Sequence, residues 1–340
     1  MGGASIPDPT CSRPPPRDAG PFLGYYLPHS CILTRPRVIP TRMPTALPLV
    51  RLVAAIWLAL VAPIAPAQSA PGPNVVPVRV VVTIPPLLWP VRALIGSPAD
   101  DAIPAEVSLI LRPGLSEHGF ELTPSQMRDL QRADIVVMAG HGLEPRVAAL
   151  VDRSAPQASH RTVVTLEGLG EVIASDHAHE HCEHDHDHDH EHDHAEQPAV
   201  DPHLWLDPIA MKHFVARVAE ALRAAVDRSE RTEEQKAALN RAVNLRLAEA
   251  QAECDRIDAE YARALAPLKR RAIVTHHNAY AYLCKRYNLT VAAVIRPVEA
   301  VEPTPGDVML AVKAVRAQKA GAVFVEPQFP AGVAKRIAET

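Results

Sequence analysis

Histidine carries the chemistry of this chain: there are 17, and they fall into groups. Nine of the 17 lie in one short tract, at His177, His179, His181, His184, His186, His188, His190, His192 and His194. Asp or Glu separates nearly every pair, and Cys182 sits inside the tract. Neutral imidazole binds Zn²⁺, Cu²⁺ and Ni²⁺, and the intervening carboxylates raise the local cation concentration. A tract without an apolar period imposes no single geometry, so it should take several ions weakly and reversibly. Its bland reading is a solvated low-complexity loop with a pH response.

A second group is scattered. His118 follows Pro113-Gly114-Leu115-Ser116-Glu117, His203 stands inside Asp201-Pro202-His203-Leu204-Trp205-Leu206, and His276 and His277 adjoin at the end of a predicted strand. Each lies beside a strand terminus or a Pro/Gly-marked loop. In open α/β sheets, ligands collect at the carboxyl ends of strands, so two lobes could offer imidazoles into one cleft. Taken singly, such a histidine is more often a satisfied loop residue than a ligand. His29, His160 and His213 carry no signal of this kind, and His141 only stands in a Gly-rich turn near the expected cleft. The sequence contains no G-x-S-x-G, P-loop, H-E-x-x-H, G-x-G-x-x-G or C-x-x-C motif, so no catalytic or structural-zinc reading competes well.

The elements that must position these residues alternate. Strands are predicted at 78–83, 107–111, 134–138 and 162–166, and helices at 85–95, from the Thr123 cap to 132, and at 143–151. That order favours a parallel sheet covered by helices. Residues 175–197 show no period. Helices follow at 208–227 and 232–266. The apolar stripe of the second is Leu239, Val243, Leu247, Ala250, Cys254, Ile257, Tyr261 and Leu265, a sustained helical spacing. A second βα series has strands at 272–275, 290–295 and 321–325 and helices at 279–286, 304–319 and 331–339. With three strands and an open last unit, this second lobe is expected to continue past Thr340.

Length and composition bound the rest. The 340 residues allow about two domains, and 47% apolar residues suffice for a packed core. A net charge of −4 gives no support to nucleic-acid binding. The bias is local: residues 176–196 hold nine acids and no Lys or Arg, so the remainder is basic. A collagen, a fully disordered chain and a disulfide scaffold are excluded.

The apolar run at 47–67 is interrupted, and its clean part, 52–62, falls short of the ~20 residues needed to cross a bilayer. It has the layout of a secretory signal over 43–67: Arg42 and Arg51, an apolar stretch, and Ala65-Pro66-Ala67 as a cleavage site. Residues 1–42, with nine prolines, read as an extension upstream of the true start at Met43. No Cys follows the cleavage site, so no lipid anchor is expected. The mature chain should occupy an oxidising, extracytoplasmic space. It would keep Cys182, Cys254 and Cys284; three is odd, so at least one thiol stays free or joins metal chemistry, and a Cys254–Cys284 bridge is left open.

These residues resemble a known family, the periplasmic zinc-binding proteins of bacterial ABC importers (ZnuA type, within the cluster of metal-binding receptors). The resemblance rests on P-G-L-S-E-H (113–118) with L-T-P-S-Q (122–126), on the acidic His tract followed by D-P-H-L-W-L-D-P (201–208), on H-N-A-Y-A-Y (277–282), and on E-P-Q-F (326–329). It covers 75–340. It implies two α/β lobes, at 75–227 and 270–340, joined by a long linking helix at 232–266, with one metal site in the interlobe cleft. It places His118 and His203 as first-lobe ligands and His277 as the second-lobe ligand, with His276 a neighbour. Manganese-carrying relatives usually have a carboxylate where His277 stands. The family's usual fourth ligand, an aspartate near the C-terminus, would lie beyond Thr340, which leaves Glu117 or water to complete a tetrahedron.

The resemblance implies a periplasmic, monomeric receptor, not an enzyme. It would capture Zn²⁺ and deliver it to an inner-membrane ABC permease, with a periplasmic zinc chaperone as a further partner and no nucleic acid. The His tract would be an accessory, low-affinity zinc collector or sensor. The rivals are a periplasmic zinc buffer acting through the tract, a manganese or iron receptor of the same fold, and a zinc hydrolase using Glu117 as base.

Overall fold

The computed structural model describes residues 76–97, 102–154, 160–175, 200–296, 302–326 and 329–340. The proposed signal, the upstream extension with His29, and the His tract with Cys182 lie outside the described residues.

In chain order the first lobe has β1 (Val78–Val82), a 3₁₀ turn (Pro85–Leu87), α1 (Leu88–Ile95), β2 (Ala105–Leu109), α2 (Pro124–Arg132), β3 (Ile135–Val137), α3 (Pro145–Ser154) and β4 (Thr162–Val164). A second 3₁₀ turn (Leu204–Leu206) leads into α4 (Pro208–Arg228) and α5 (Glu233–Leu265). The second lobe has β5 (Ala272–Thr275), α6 (Ala281–Arg286), β6 (Thr290–Val294), α7 (Pro305–Gln318), β7 (Ala322–Phe324) and α8 (Gly332–Ala338). The strands form two parallel sheets, ordered β2-β1-β3-β4 and β6-β5-β7.

The inner strands β1, β3 and β5 follow from runs of β-branched residues buried on two faces. In β1, Val80 and Val82 join one apolar cluster and Val81 the other; in β3, Ile135 and Val137 separate from Val136 in the same way. Successive side chains on a strand point to opposite faces, and helices cover both faces of a parallel sheet. Three helices begin as their sequences demand. Thr123, Thr232 and Thr304 each accept from the backbone N–H three residues on, and Gln126, Gln235 and Asp307 return the bond to the cap's own N–H.

Several boundaries differ from the expected ones by one to three residues, and two of the differences have a visible cause. Strand β2 begins at Ala105 rather than 107, because the chain already pairs in parallel register there, Val78 opposite Ala105 through Val82 opposite Leu109. Ala105 and Glu106 are not β-branched, so pairing rather than propensity makes them strand. Helix α3 begins at Pro145 rather than 143, because Glu144 turns its carboxylate back to the backbone N–H groups of Ala139 and Gly140.

The long helix forms as its stripe predicts. Val243, Ala250, Cys254 and Ile257 are buried in the main core, and Leu239, Leu247, Tyr261 and Leu265 pack against it. At about 1.5 Å per residue it spans about 50 Å. That core is continuous between the lobes: it includes Val80 and Ile135 of the first sheet, Phe214 and Leu222 of α4, and Ile273, Tyr282 and Leu283 of the second lobe. Cys254 and Cys284 are both buried free thiols, so the bridge left open by the sequence is not made. Among the described residues, no helix is long and apolar enough to cross a membrane.

Candidate metal centre

Glu117, His118, His203 and His277 bring one donor atom each to within 4.8 Å of one another. His203 is at the centre: its Nε2 lies 3.3 Å from Nε2 of His118 and 3.4 Å from Nε2 of His277. Oε1 of Glu117 stands 4.0 Å from the His203 Nε2 and 3.9 Å from that of His277. The His203 side chain is 1% exposed and that of Glu117 15%, so the cluster is closed at His203 and His277 and more open at Glu117 and His118.

Each ligand candidate stands just beyond a strand or before a helix. Glu117 and His118 sit in the loop after β2, where the His118 N–H donates to Ser116 Oγ at 3.1 Å. Gly114 and Gly119, both with φ near +80° (+86° and +76°), let that loop turn on either side. His203 is set by its own motif. Asp201 Oδ1 takes the His203 backbone N–H at 2.9 Å and stands 2.7 Å from its Nδ1. The indole of Trp205 lies 5.0 Å from the imidazole, centroid to centroid. Asp207 then caps α4, accepting from Ile209 and Ala210 N–H, with Pro208 in the first turn.

The adjacent pair at the end of β5 is separated by the sheet. His277 Nδ1 lies 2.9 Å from Glu326 Oε1, which leaves Nε2 in the cluster. His276 is held elsewhere: its N–H donates to the Phe324 carbonyl, its carbonyl accepts from Arg296 N–H, and its ring stacks on Phe329 at 4.4 Å. Burial pushes the His276 imidazole below its ordinary pKa. Of the pair, the structure brings only His277 into the cluster.

His141 is close in the fold but outside the cluster. Its φ of 52° lies between Gly140 at 77° and Gly142 at 78°, and its N–H donates to Glu167 Oε1 at 2.8 Å. A Cβ on Gly140 would stand 2.8 Å from that same oxygen and displace the Glu167 side chain, and the φ of 77° itself favours glycine there. Beside this turn, Glu144 is a buried acid the sequence reading did not mark. It accepts from Thr83 Oγ1 at 2.7 Å, Ala139 N–H at 2.8 Å and Gly140 N–H at 3.0 Å, while burial raises its pKa. His160 lies 3.6 Å from Asp134 at the surface, and His213 is exposed on α4. Neither joins the cluster.

Sequence reading also missed what Asp201 and Glu326 touch. Asp201 had a legible signal, an aspartate two residues before a histidine in a Pro-containing loop. Glu326 had a weaker one, an acid closing an apolar strand.

Two parallel-sheet lobes with a long helix running between them, and imidazoles from both lobes meeting beside strand ends, make a two-lobed α/β architecture with a candidate metal site between the lobes. The profile of the ZnuA family, described as zinc-uptake complex component A, periplasmic, matches residues 80–340, and the chain belongs to that family. The family is one of solute-binding proteins and not of enzymes, which removes the hydrolase reading.

The chain is similar to the zinc-binding protein AdcA of Streptococcus pyogenes, with 24% identity over 77% of this chain and 48% of that protein. It is 31% identical to the high-affinity zinc uptake system protein ZnuA of Paracoccus denitrificans, over 58% of this chain and 61% of the relative. A crystal structure of ZnuA superposes with a TM-score of 0.58 at 21% identity, covering 77% of this chain and 87% of the other. The chain spans about half the length of the streptococcal relatives it matches.

Proposed function

We propose that this chain is the extracytoplasmic Zn²⁺ receptor of an ABC importer, with His118, His203 and His277 as ligands and Glu117 as the fourth donor. The observation that carries the reading is the donor spacing. Zn–N bonds of about 2.0–2.1 Å in a tetrahedron hold the donors about 3.3 Å apart. The imidazole nitrogens stand 3.3 and 3.4 Å apart around His203, and the more exposed Glu117 needs only a small inward movement. The family match and the names of the curated relatives support uptake of zinc.

Three nitrogen donors and one carboxylate suit Zn²⁺ better than Mn²⁺, which prefers oxygen. No bond is made or broken in such a receptor; it must hold the ion and release it on docking with a permease. A site shared by two lobes suits that, since small relative movements separate the ligands. On this reading residues 43–67 are the signal, the lobes divide at 75–227 and 270–340, and the tract from His177 to His194 collects zinc as an accessory.

The test is a competitive Zn²⁺ and Mn²⁺ titration of the full chain and of a variant lacking 177–194. One tight, zinc-preferring site surviving the deletion is expected, weakened about 100-fold or more by His203→Ala. Loss of all tight binding with the tract would instead make the protein a buffer. Unchanged affinity in His203→Ala would refute the ligand assignment.

A further inference from the structure

Two buried carboxylates stand behind the cluster without belonging to it, one from each lobe. Asp201 is 3% exposed and reaches Nδ1 of His203 at 2.7 Å; Glu326 is 4% exposed and reaches Nδ1 of His277 at 2.9 Å. Their placement has different origins. Asp201 is local, folded back across a two-residue turn. Glu326 is delivered by the sheet: β5 and β7 run parallel with Thr275 opposite Phe324, and two residues further along each strand stand His277 and Glu326.

We propose that Asp201 and Glu326 are positioning residues for the cation, each locking one imidazole in the tautomer that turns its Nε2 lone pair into the cluster. The inference rests on the metal-receptor reading of this site. An ionised carboxylate only accepts hydrogen bonds, so the Nδ1 facing it carries the hydrogen and Nε2 is left as a donor of electrons. The same bond fixes the ring's orientation and raises its basicity as a ligand. One carboxylate per lobe means that each lobe presents its histidine already prepared.

Packing alone does not account for Glu326. Its Oε2 is buried with no hydrogen-bond partner among the described residues, and the nearest histidine nitrogen across from it, Nδ1 of His276, is 4.0 Å away and also unpartnered. Burying an incompletely paired carboxylate costs stability, so a residue selected only for the fold would be better apolar or amide. The oxygen that is satisfied is the one aimed at the ligand candidate.

The experiment labels the histidines of the full chain with ¹⁵N and reads tautomers by long-range ¹H–¹⁵N correlation on metal-free protein, beside zinc titration. Wild type should show His203 and His277 as Nδ1–H tautomers. Glu326→Ala should move His277 toward the Nε2–H form and weaken zinc 10- to 100-fold. Glu326→Gln, whose amide oxygen still accepts, should keep the tautomer and lose less than tenfold; Asp201→Asn should do the same for His203 and covers the case in which an alanine fails to fold. A Glu326→Ala protein that keeps both the Nδ1–H tautomer and wild-type affinity overturns the proposal. If His203→Ala leaves zinc binding intact, the site reading falls, while the tautomer measurement still decides whether the carboxylates position the rings.

Discussion

The hydroxyl of Tyr282, on α6 of the second lobe, donates to the backbone carbonyl of Asp201 in the first lobe at 2.8 Å and accepts from Ile173 N–H at 3.2 Å. The residue whose side chain holds His203 is thus itself held by the opposite lobe. Tyr282→Phe removes a donor from the buried Asp201 carbonyl and an acceptor from the partly buried Ile173 N–H. It should cost about 1–3 kcal/mol of stability in urea unfolding. Zinc affinity should fall only a few-fold, because every donor of the cluster remains. A loss as large as that of His203→Ala would mean that Tyr282 does more than tie the lobes.

Across the same boundary, Arg286 grips Asp207 with two bonds of 2.7 and 2.9 Å. The pair is only partly buried, so solvent screening limits its worth to about 1 kcal/mol. Arg286→Lys should lose most of that, since an ammonium does not reproduce the fork. A thermal-unfolding comparison of wild type, Arg286→Lys and Arg286→Ala tests this: the lysine variant is expected to melt close to the alanine variant, and a wild-type melting point for lysine would show that charge alone suffices.

Glu144 gives a pH dependence of known sign. Burial lifts its folded pKa above the ordinary 4.5, outweighing the N–H and hydroxyl groups that bond it. A group whose folded pKa is raised contributes stability that is present below the unfolded pKa and lost as pH rises through the folded one. Glu144→Gln lacks this titration. The stability of wild type minus that of the variant should therefore shrink as the pH rises above the ordinary carboxyl value, measured by urea unfolding at fixed salt. A difference that grows with pH would reverse the assignment.

Cys254 and Cys284 should be inert in the native protein. Both are buried, and burial pushes each thiol up to about 12. The thiolate is the reactive form. Alkylation at neutral pH followed by peptide mass analysis should leave both unmodified in buffer and modify both in denaturant. Native labelling of either one would show that its side of the core opens readily.

Metal removal should be visible in stability. A ligand at 100 times its Kd adds about 2.7 kcal/mol to the folded state. Zinc-loaded protein should melt several degrees above protein in chelator, and the difference should vanish in His203→Ala. A shift that persists in that variant but disappears on deleting 177–194 would place the binding in the tract.

The elements were largely legible because their signals are local. Threonine caps, the β-branched runs of β1 and β3, and the spacing from Leu239 to Leu265 state helix or strand within a few residues. The start of β2 was not, since Ala105 is strand only by pairing with Val78. Position beside strand ends and Pro/Gly loops marked His118, His203, His276 and His277 alike; the family resemblance singled out three of them and suggested Glu117 beside His118. Glu326 was legible in the motif but not in its role, because its partner is 49 positions away and only the β5–β7 register brings them together. His276 and His277 are alike as residues; the family resemblance chose His277, and the Phe329 stack and the Glu326 bond give the physical difference between them.

The apolar cluster that runs from Val80 through α4 and α5 to Leu283 has a calorimetric consequence. Two lobes with separate interiors would melt in two steps, and one could loosen while the other kept its half of the ligands. Here one face of each sheet packs into the shared cluster, while the opposite faces pack into smaller clusters of their own. The shared cluster should couple the lobes into a single heat-absorption peak whose van't Hoff and calorimetric enthalpies agree. A substitution in the shared cluster, on either side of the boundary, would then lower the melting of both lobes together.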